Sequence, residues 1–329
     1  MAEHNQITDQ SKAGAIASCP ICGQVTTEIL TDKLRRGSGT VYLCNDCDLG
    51  FLISAPVDAK TYYDGEYRDA YSHRADGSAT HASELFDVYK HYQQSRLDLI
   101  RPYLGPEVDI LEIGASAGQF LFHLEGSSRR RCAIELDSAC CEFMASKLGI
   151  DADSNLLSES RFSGQQFDVV CAFQVMEHTT DPVAFLRDIR AAIRPGGIAF
   201  VEVPNRHDPL LSVWGISTYQ PFFYHSAHLH YFSAKVLRRI AAAAGFASED
   251  ISFRFIQDYN LLNHLHWIMN GTPQATCHVG LSGVKFEGRD AEMAHWLTSE
   301  LAHLNDAYVK KLMAKEKTSN IMMILHHEK

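Results

Sequence analysis

The sequence predicts an α/β protein, a Rossmann-like wound sheet with a small N-terminal zinc ribbon, and three observations predict it. Short apolar runs at 108–113, 131–135, 167–173, 197–203, 251–256 and 320–326 alternate with helical stretches, as in a wound sheet. The first of these runs breaks into the small residues Gly114-Ala115-Ser116-Ala117-Gly118 just before a helical stretch. Ahead of them all, two C-x-x-C pairs fall close together.

The composition is that of a globular chain: 329 residues, 46% hydrophobic, with 30 basic and 40 acidic side chains for a formal charge of −10. The length suits one large domain and a small accessory one. No apolar run approaches the ~18 residues of a membrane helix, and the polar start MAEHNQITDQSKAG has no apolar signal core. These features predict a cytoplasmic protein with no membrane partner and a disordered tail over residues 1–17. The acidic balance argues against a nucleic-acid partner, and the only dense basic run, Arg129, Arg130 and Arg131, reads as a solvated loop.

In the ribbon, assigned to residues 18–55, Cys19-Pro-Ile-Cys22-Gly23 and Cys44-Asn-Asp-Cys47 flank a strand-like stretch at Thr40–Leu43. Each two-residue spacer lets both thiolates face one ion, and two such knuckles complete a tetrahedron at about 2.3 Å per Zn–S bond. Cys19, Cys22, Cys44 and Cys47 are therefore the expected ligands of a structural zinc, with no position left for substrate. A redox pair is the competing reading. The remaining cysteines, Cys132, Cys140, Cys141, Cys171 and Cys277, read as small core residues.

Residues 56–105 are expected to hold a tyrosine-rich lid and a connecting helix. Tyr62, Tyr63, Tyr67 and Tyr71 suit a lid over a partly wet cavity, and interdomain packing explains them as well. From Ala82 to Leu104 apolar residues recur at helical spacing, and Gly105-Pro106 stops the pattern.

The domain at 106–329 carries the chemistry. Small residues after the strand ending at Ile113 let a ligand approach the backbone, where N–H groups favour an electron-rich partner. The next strand, Arg131 to Glu135, ends in a carboxylate 21 residues after Gly114, where wound sheets present an acid to ribose hydroxyls. A nicotinamide fingerprint would need glycine where Ser116 and Gln119 stand, so a dehydrogenase falls behind.

The run Leu111-Glu112-Ile113-Gly114-Ala115-Ser116-Ala117-Gly118 resembles the first motif of class I S-adenosylmethionine-dependent methyltransferases. The resemblance continues through Phe167-Asp168-Val169-Val170, Val175-Met176-Glu177-His178, Asp181-Pro182, Arg194-Pro195-Gly196-Gly197 and Glu202-Val203-Pro204-Asn205, and later through 228–233 and 244–246. With its ribbon, the chain is similar to the subgroup containing deoxysugar C-methyltransferases and natural-product or polysaccharide methyltransferases. Two departures weigh against sugar C-methylation. The chain has no room for that subgroup's further C-terminal domain, and Ala227 stands where an acidic residue usually precedes His228.

The resemblance implies S-adenosylmethionine as cofactor, with Gly114 and Gly118 admitting its methionine end, Glu112 supporting the turn, Glu135 receiving the ribose hydroxyls, and Phe173 and Gln174 beside it. The acceptor is expected to be a small molecule, such as a sugar nucleotide or a natural-product or polysaccharide intermediate. His178 and His228 are the candidate bases, with His225, His230 and Tyr224 as neighbours that could substitute. The bland reading makes Glu177-His178 a helix cap and the other histidines packing residues. Substrate-recognition insertions are expected near 205–232, with the aromatics Trp214, Tyr219, Phe222, Phe223 and Tyr224 as substrate wall or core, and near 258–290. The alternative of a different class is a non-catalytic adaptor that binds a protein or RNA partner.

Overall fold

The computed structural model describes residues 16–35, 37–53, 81–274, 278–281 and 283–328. The tyrosine-rich lid and most of the expected tail lie outside the described residues. Ala17, assigned to the tail, is instead in a strand: β1 (Ala17–Ser18) pairs antiparallel with β2 (Val25–Thr26) around the first cysteine knuckle, and Ala17 is buried.

Strands β3 (Ile29–Thr31), β4 (Val41–Cys44) and β5 (Leu49–Leu52) follow, every residue of β4 and β5 being buried. The expected connecting helix is broken into α1 (Ala82–Tyr89) and α2 (Gln94–Ile100), with 3-10 turns at Lys90–Tyr92 and Arg101–Tyr103. At the break, Gln93 Nε2 donates to the Tyr89 carbonyl at 2.9 Å, and His123 Nε2 bonds the Lys90 carbonyl at 2.6 Å, so side chains compete for carbonyls of this turn.

The expected wound α/β sheet is present. Its strands are β6 (Gly105–Ile113), β7 (Ser128–Ile134), β8 (Asp151–Asp153), β9 (Phe167–Phe173), β10 (Ile193–Pro204), β12 (Ile251–Ile256) and β13 (Asn320–His326), in the order β12-β13-β10-β9-β6-β7-β8. All pairings from β10 to β8 are parallel, and β13 runs antiparallel to both its neighbours. The continuous apolar runs of β9 and β13 follow from burial on both faces, with helices such as α3 (Gln119–Phe122), α4 (Ser138–Phe143), α5 (Pro182–Ala192) and α6 (Ala234–Ala243) supplying the cover. Beyond β12 come α7 (Leu261–Asn270) and the 24-residue α8 (Ala291–Ala314). Among the described residues no helix is long and apolar enough to cross a membrane.

The arginines read as a solvated loop belong to β7, where they hold the sheet. Arg129 Nε donates to Asp109 at 2.8 Å, and Arg131 donates to the carbonyls of Leu121 and Leu148.

The ribbon is not a separate appendage. β11 (His230–Tyr231) pairs antiparallel with β5, so a four-stranded sheet in the order β11-β5-β4-β3 is completed by the large domain. Leu52 also donates its N–H to the Leu229 carbonyl at 2.9 Å. The segment around 225–231 is thereby anchored from the ribbon side.

Candidate active site

Wound sheets bind ligands beyond the carboxyl ends of their strands, and here a cavity of about 1300 Å³ opens beyond β6, β7 and β9. The six residues predicted to bind the cofactor converge on it or on the turn beside it: Glu112, Gly114, Glu135, Phe173 and Gln174 line it, and Gly118 closes the turn after β6.

The turn has its conformation because glycine stands at two left-handed positions, φ +75° at Gly114 and +77° at Gly118. A Cβ at Gly114 would run into Val175 Cγ2, and one at Gly118 would sit 2.8 Å from Met144 Cγ. Ser116, also at positive φ (48°), donates its N–H to Glu135 Oε2 at 2.7 Å, while Asp137 donates to Glu135 Oε1 at 3.0 Å. The carboxylate is thus fixed at the rim, and it locks the turn in place. Leu136 and Leu157, which sequence reasoning passed over, add apolar lining on the same side.

Glu112, expected to support the turn, is buried, and its Oε2 has no hydrogen-bond partner among the described residues. Burial pushes its carboxyl up to about 8, against the pull of Arg96. An unpartnered acceptor lining a cavity fits a ligand that brings a cationic donor.

Sequence reasoning also missed Arg96 and Gln93, which it had treated as parts of a connecting helix. Arg96 spans the floor with its guanidinium on the buried Glu202 (2.5 and 3.3 Å) and over the Phe173 ring, and Gln174 Nε2 joins the same carboxylate at 3.1 Å. Polar residues interrupting the apolar face of the 82–104 stretch were the available signal. Tyr89, Gln93, Arg96 and Gln174 also line a second cavity of about 660 Å³, so the two spaces share a wall. Tyr219 and Phe222 line the second cavity, whereas the expected wall residue Trp214 is half-exposed and donates to Tyr308 at 2.8 Å. Tyr219 also packs edge-on against the buried Trp267, so the aromatic stretch is part wall and part core.

His178 and His228, 50 residues apart in sequence, meet with ring centroids 4.7 Å apart. His178 lines the large cavity and His228 the smaller one. The capping role falls to Asp181, whose carboxylate accepts from Val183 and Ala184, and not to Glu177-His178. His178 Nδ1 bonds the Ala227 carbonyl at 2.7 Å, which assigns the proton of the neutral ring to Nδ1 and makes Nε2 its acceptor nitrogen. Burial lowers the His178 ring to about 4 and holds His228 well below its ordinary range, so both imidazoles are neutral near pH 7. Between them lies Glu177, with Oε1 3.9 Å from each Nε2 and burial pushing its carboxyl up to about 8. His225 packs tilted against His228 at 3.7 Å between centroids, and His230 is buried in β11.

Cys19, Cys22, Cys44 and Cys47 come together in the ribbon with all four sulfurs within 4.8 Å of one another. The Sγ pairs Cys19–Cys47 and Cys22–Cys44 are 3.5 Å apart, close to the about 3.8 Å edge of a tetrahedron with 2.3 Å bonds. The donor set and spacing are compatible with zinc.

Comparison with known proteins identifies residues 87–250 as a match to the family described as a methyltransferase domain. Over 59 residues the chain is 41% identical to a ubiquinone biosynthesis O-methyltransferase of Parvibaculum lavamentivorans, covering 18% of this chain and 23% of that protein. Over 143 residues it is 29% identical to a Mycolicibacterium smegmatis protein named as a probable S-adenosylmethionine-dependent methyltransferase, covering 43% of this chain and 53% of that one. The chain thus matches about half or less of the length of these relatives. Among solved structures, a SAM-dependent methyltransferase from Archaeoglobus fulgidus aligns with a TM-score of 0.46 at 15% identity, over 74% of this chain and 99% of that one.

Proposed function

Residues 87–250 belong to the methyltransferase-domain family, and on that premise we propose that the protein transfers a methyl group from S-adenosylmethionine to a small-molecule acceptor. The observation that carries the reading is the shared wall of the two cavities: the glycine turn and Glu135 line one, and the histidine pair stands where it meets the other.

The residues present fit the cofactor. Glu135, held by Ser116 and Asp137, has the position to accept from ribose hydroxyls. The unpartnered oxygen of Glu112 suits the cofactor's ammonium group, the Gly114–Gly118 turn lets its methionine end lie against the backbone, and Leu136 and Leu157 offer apolar faces to the adenine. When bound, the cofactor supplies a sulfonium methyl open to in-line displacement.

The chain's task is then alignment and exclusion of water, with the reacting atoms about 3 to 3.5 Å apart. Arg96 and Gln174, tied to Glu202, keep the common wall rigid. The acceptor occupies the smaller cavity, where Tyr219, Phe222 and Asp258 give it apolar faces and a polar edge. Its class is a sugar nucleotide or a natural-product or polysaccharide intermediate with an ionisable nucleophile. His178 Nε2 or His228 takes the acceptor proton, which a neutral imidazole can do. In the ribbon, Cys19, Cys22, Cys44 and Cys47 hold a structural zinc that supports β5 and through it the 225–231 segment.

Thermal unfolding with added ligands tests the cofactor assignment. S-adenosylhomocysteine at 100 times its dissociation constant should add about 2.7 kcal/mol of stability and raise the midpoint, while NAD leaves it unchanged. Stabilisation by NAD alone would overturn the reading in favour of a dehydrogenase.

A further inference from the structure

We propose that Arg35 of the ribbon binds an anionic group of the acceptor, a carboxylate or a phosphate, and so makes the ribbon part of the acceptor site. This role rests on the methyl-transfer reading, with the acceptor in the smaller cavity. Arg35 follows β3, is exposed, and lines that cavity. Its guanidinium carbon stands over the Phe222 ring, 4.9 Å from the centre. A guanidinium held over a ring spends one planar face and keeps its N–H edge for two oxygens at once.

The ribbon loop is tied to the cavity wall, so the guanidinium is presented and not merely nearby. Arg35 donates its backbone N–H to the Tyr224 carbonyl at 2.8 Å, and Gln220 Nε2 donates to the Leu30 carbonyl at 2.8 Å. Two residues on, Gly37 comes so close to Ser226 that a Cβ there would sit 2.9 Å from its Oγ. These contacts join the ribbon to the segment that carries Phe222, His225 and His228. Besides burial, the Arg35 charge lowers the basicity of His225 and His228, which places it toward the histidine side of the cavity. An anion seated on Arg35 therefore relieves that opposition when the acceptor is in place.

The other charged groups of the cavity are already engaged. Arg96 is held by Glu202. Asp208 accepts from the Leu210 N–H at 2.8 Å and from the Tyr219 hydroxyl at 3.4 Å, and Asp258 accepts from Asn320 Nδ2 at 2.5 Å. Arg35 alone among these lining arginines and carboxylates has no side-chain hydrogen bond or ion pair among the described residues. Its free donors select an acid, and the aromatic faces of Tyr219 and Phe222 select an apolar body to carry it.

The test is calorimetric titration of phenyl phosphate and benzoate, with benzyl alcohol as their uncharged counterpart, into the full chain with and without S-adenosylhomocysteine. At least one anionic probe should bind about tenfold or more tightly than benzyl alcohol, and Arg35→Gln should remove that advantage while leaving benzyl alcohol unaffected. Arg35→Lys, which keeps the charge without the planar fork, should retain part of it. Preference between the two anions identifies the acid. Arg35→Gln breaks no ion pair among the described residues, so an unchanged thermal midpoint verifies its fold. Anionic probes that bind no better than benzyl alcohol to the wild type, or equally well to Arg35→Gln, overturn the proposal. S-adenosylhomocysteine affinity is read on the same samples. Cofactor-analogue binding without Arg35-dependent anion binding defeats the role of Arg35 alone, whereas Arg35-dependent anion binding by a protein that does not bind the analogue leaves the anion site standing while the methyl-transfer reading falls.

Discussion

Leu229 donates its backbone N–H to the Glu177 carbonyl while its own carbonyl accepts from Leu52 of the ribbon, at 2.8 and 2.9 Å. One residue therefore clips the cysteine ribbon to the turn that carries His178. A local event at the four cysteines has a structural route to the site, through β5 and β11.

Removing the zinc proposed for the ribbon should consequently loosen the 225–231 segment. Chelator treatment of the full chain, or Cys44→Ser, is expected to lower the thermal midpoint, because a structural zinc contributes folding energy directly. Limited proteolysis should cut within 225–232 only after treatment. Unchanged protection there would break the proposed link.

Gly114→Ala should destabilise the protein by about 2 to 4 kcal/mol, combining a left-handed backbone penalty with overpacking against Val175. Urea unfolding measures it. The double variant with Val175→Ala should recover the packing part and keep the backbone part, so full recovery would contradict the assigned conformation.

Arg96→Gln leaves the buried Glu202 without its guanidinium and is expected to cost about 3 kcal/mol. Adding Glu202→Gln should return much of that loss, since the uncompensated charge is then gone. A double-mutant cycle by chemical denaturation reads the coupling, and simple additivity would show that the pair does not act as a unit.

Acid sensitivity should trace in part to His264, whose Nδ1 bonds Tyr308 at 2.7 Å and whose Nε2 faces the Gln257 amide at 3.3 Å. Burial lowers this ring to about 4. The unfolded chain, at the ordinary 6.5, binds the extra proton first, so the contribution is complete above about pH 6.5 and lost as pH falls toward 4. His264→Gln should flatten the stability profile across that window. An unchanged slope would mean the ring is not held neutral.

What could be read from the sequence was local. β9, β12 and β13 occupy the spans their apolar runs predict, β9 and β13 because central strands need continuous apolar side chains and β12 as an edge strand whose ends are buried. β8 was invisible: Asp151-Ala152-Asp153 has no hydrophobic pattern and is a strand because β7 pairs with it. The helix break at 90–92 was equally hidden: one of the contacts there is His123 reaching a carbonyl 33 residues away. The same division runs through the site. Gly114, Gly118 and Glu135 sit in one βαβ unit and could be named from spacing. Arg96 with Glu202, and His178 with Ala227, are partnerships across 106 and 49 residues that only the folded chain reveals. The histidines' lowered basicity also comes from tertiary burial, which no local pattern encodes.

The cofactor pocket is the centre of the account, and calorimetric titration of S-adenosylhomocysteine into the zinc-replete wild type and Glu135→Gln tests it most directly. Glu135→Gln keeps one acceptor oxygen for the turn and removes the charge that would meet the ribose, so affinity should fall about 10- to 100-fold, the worth of a charge-assisted hydrogen bond. Micromolar binding by the wild type, weakened by that factor in the variant, is the predicted result. No binding by the folded wild type, or equal affinity in both proteins, would contradict it.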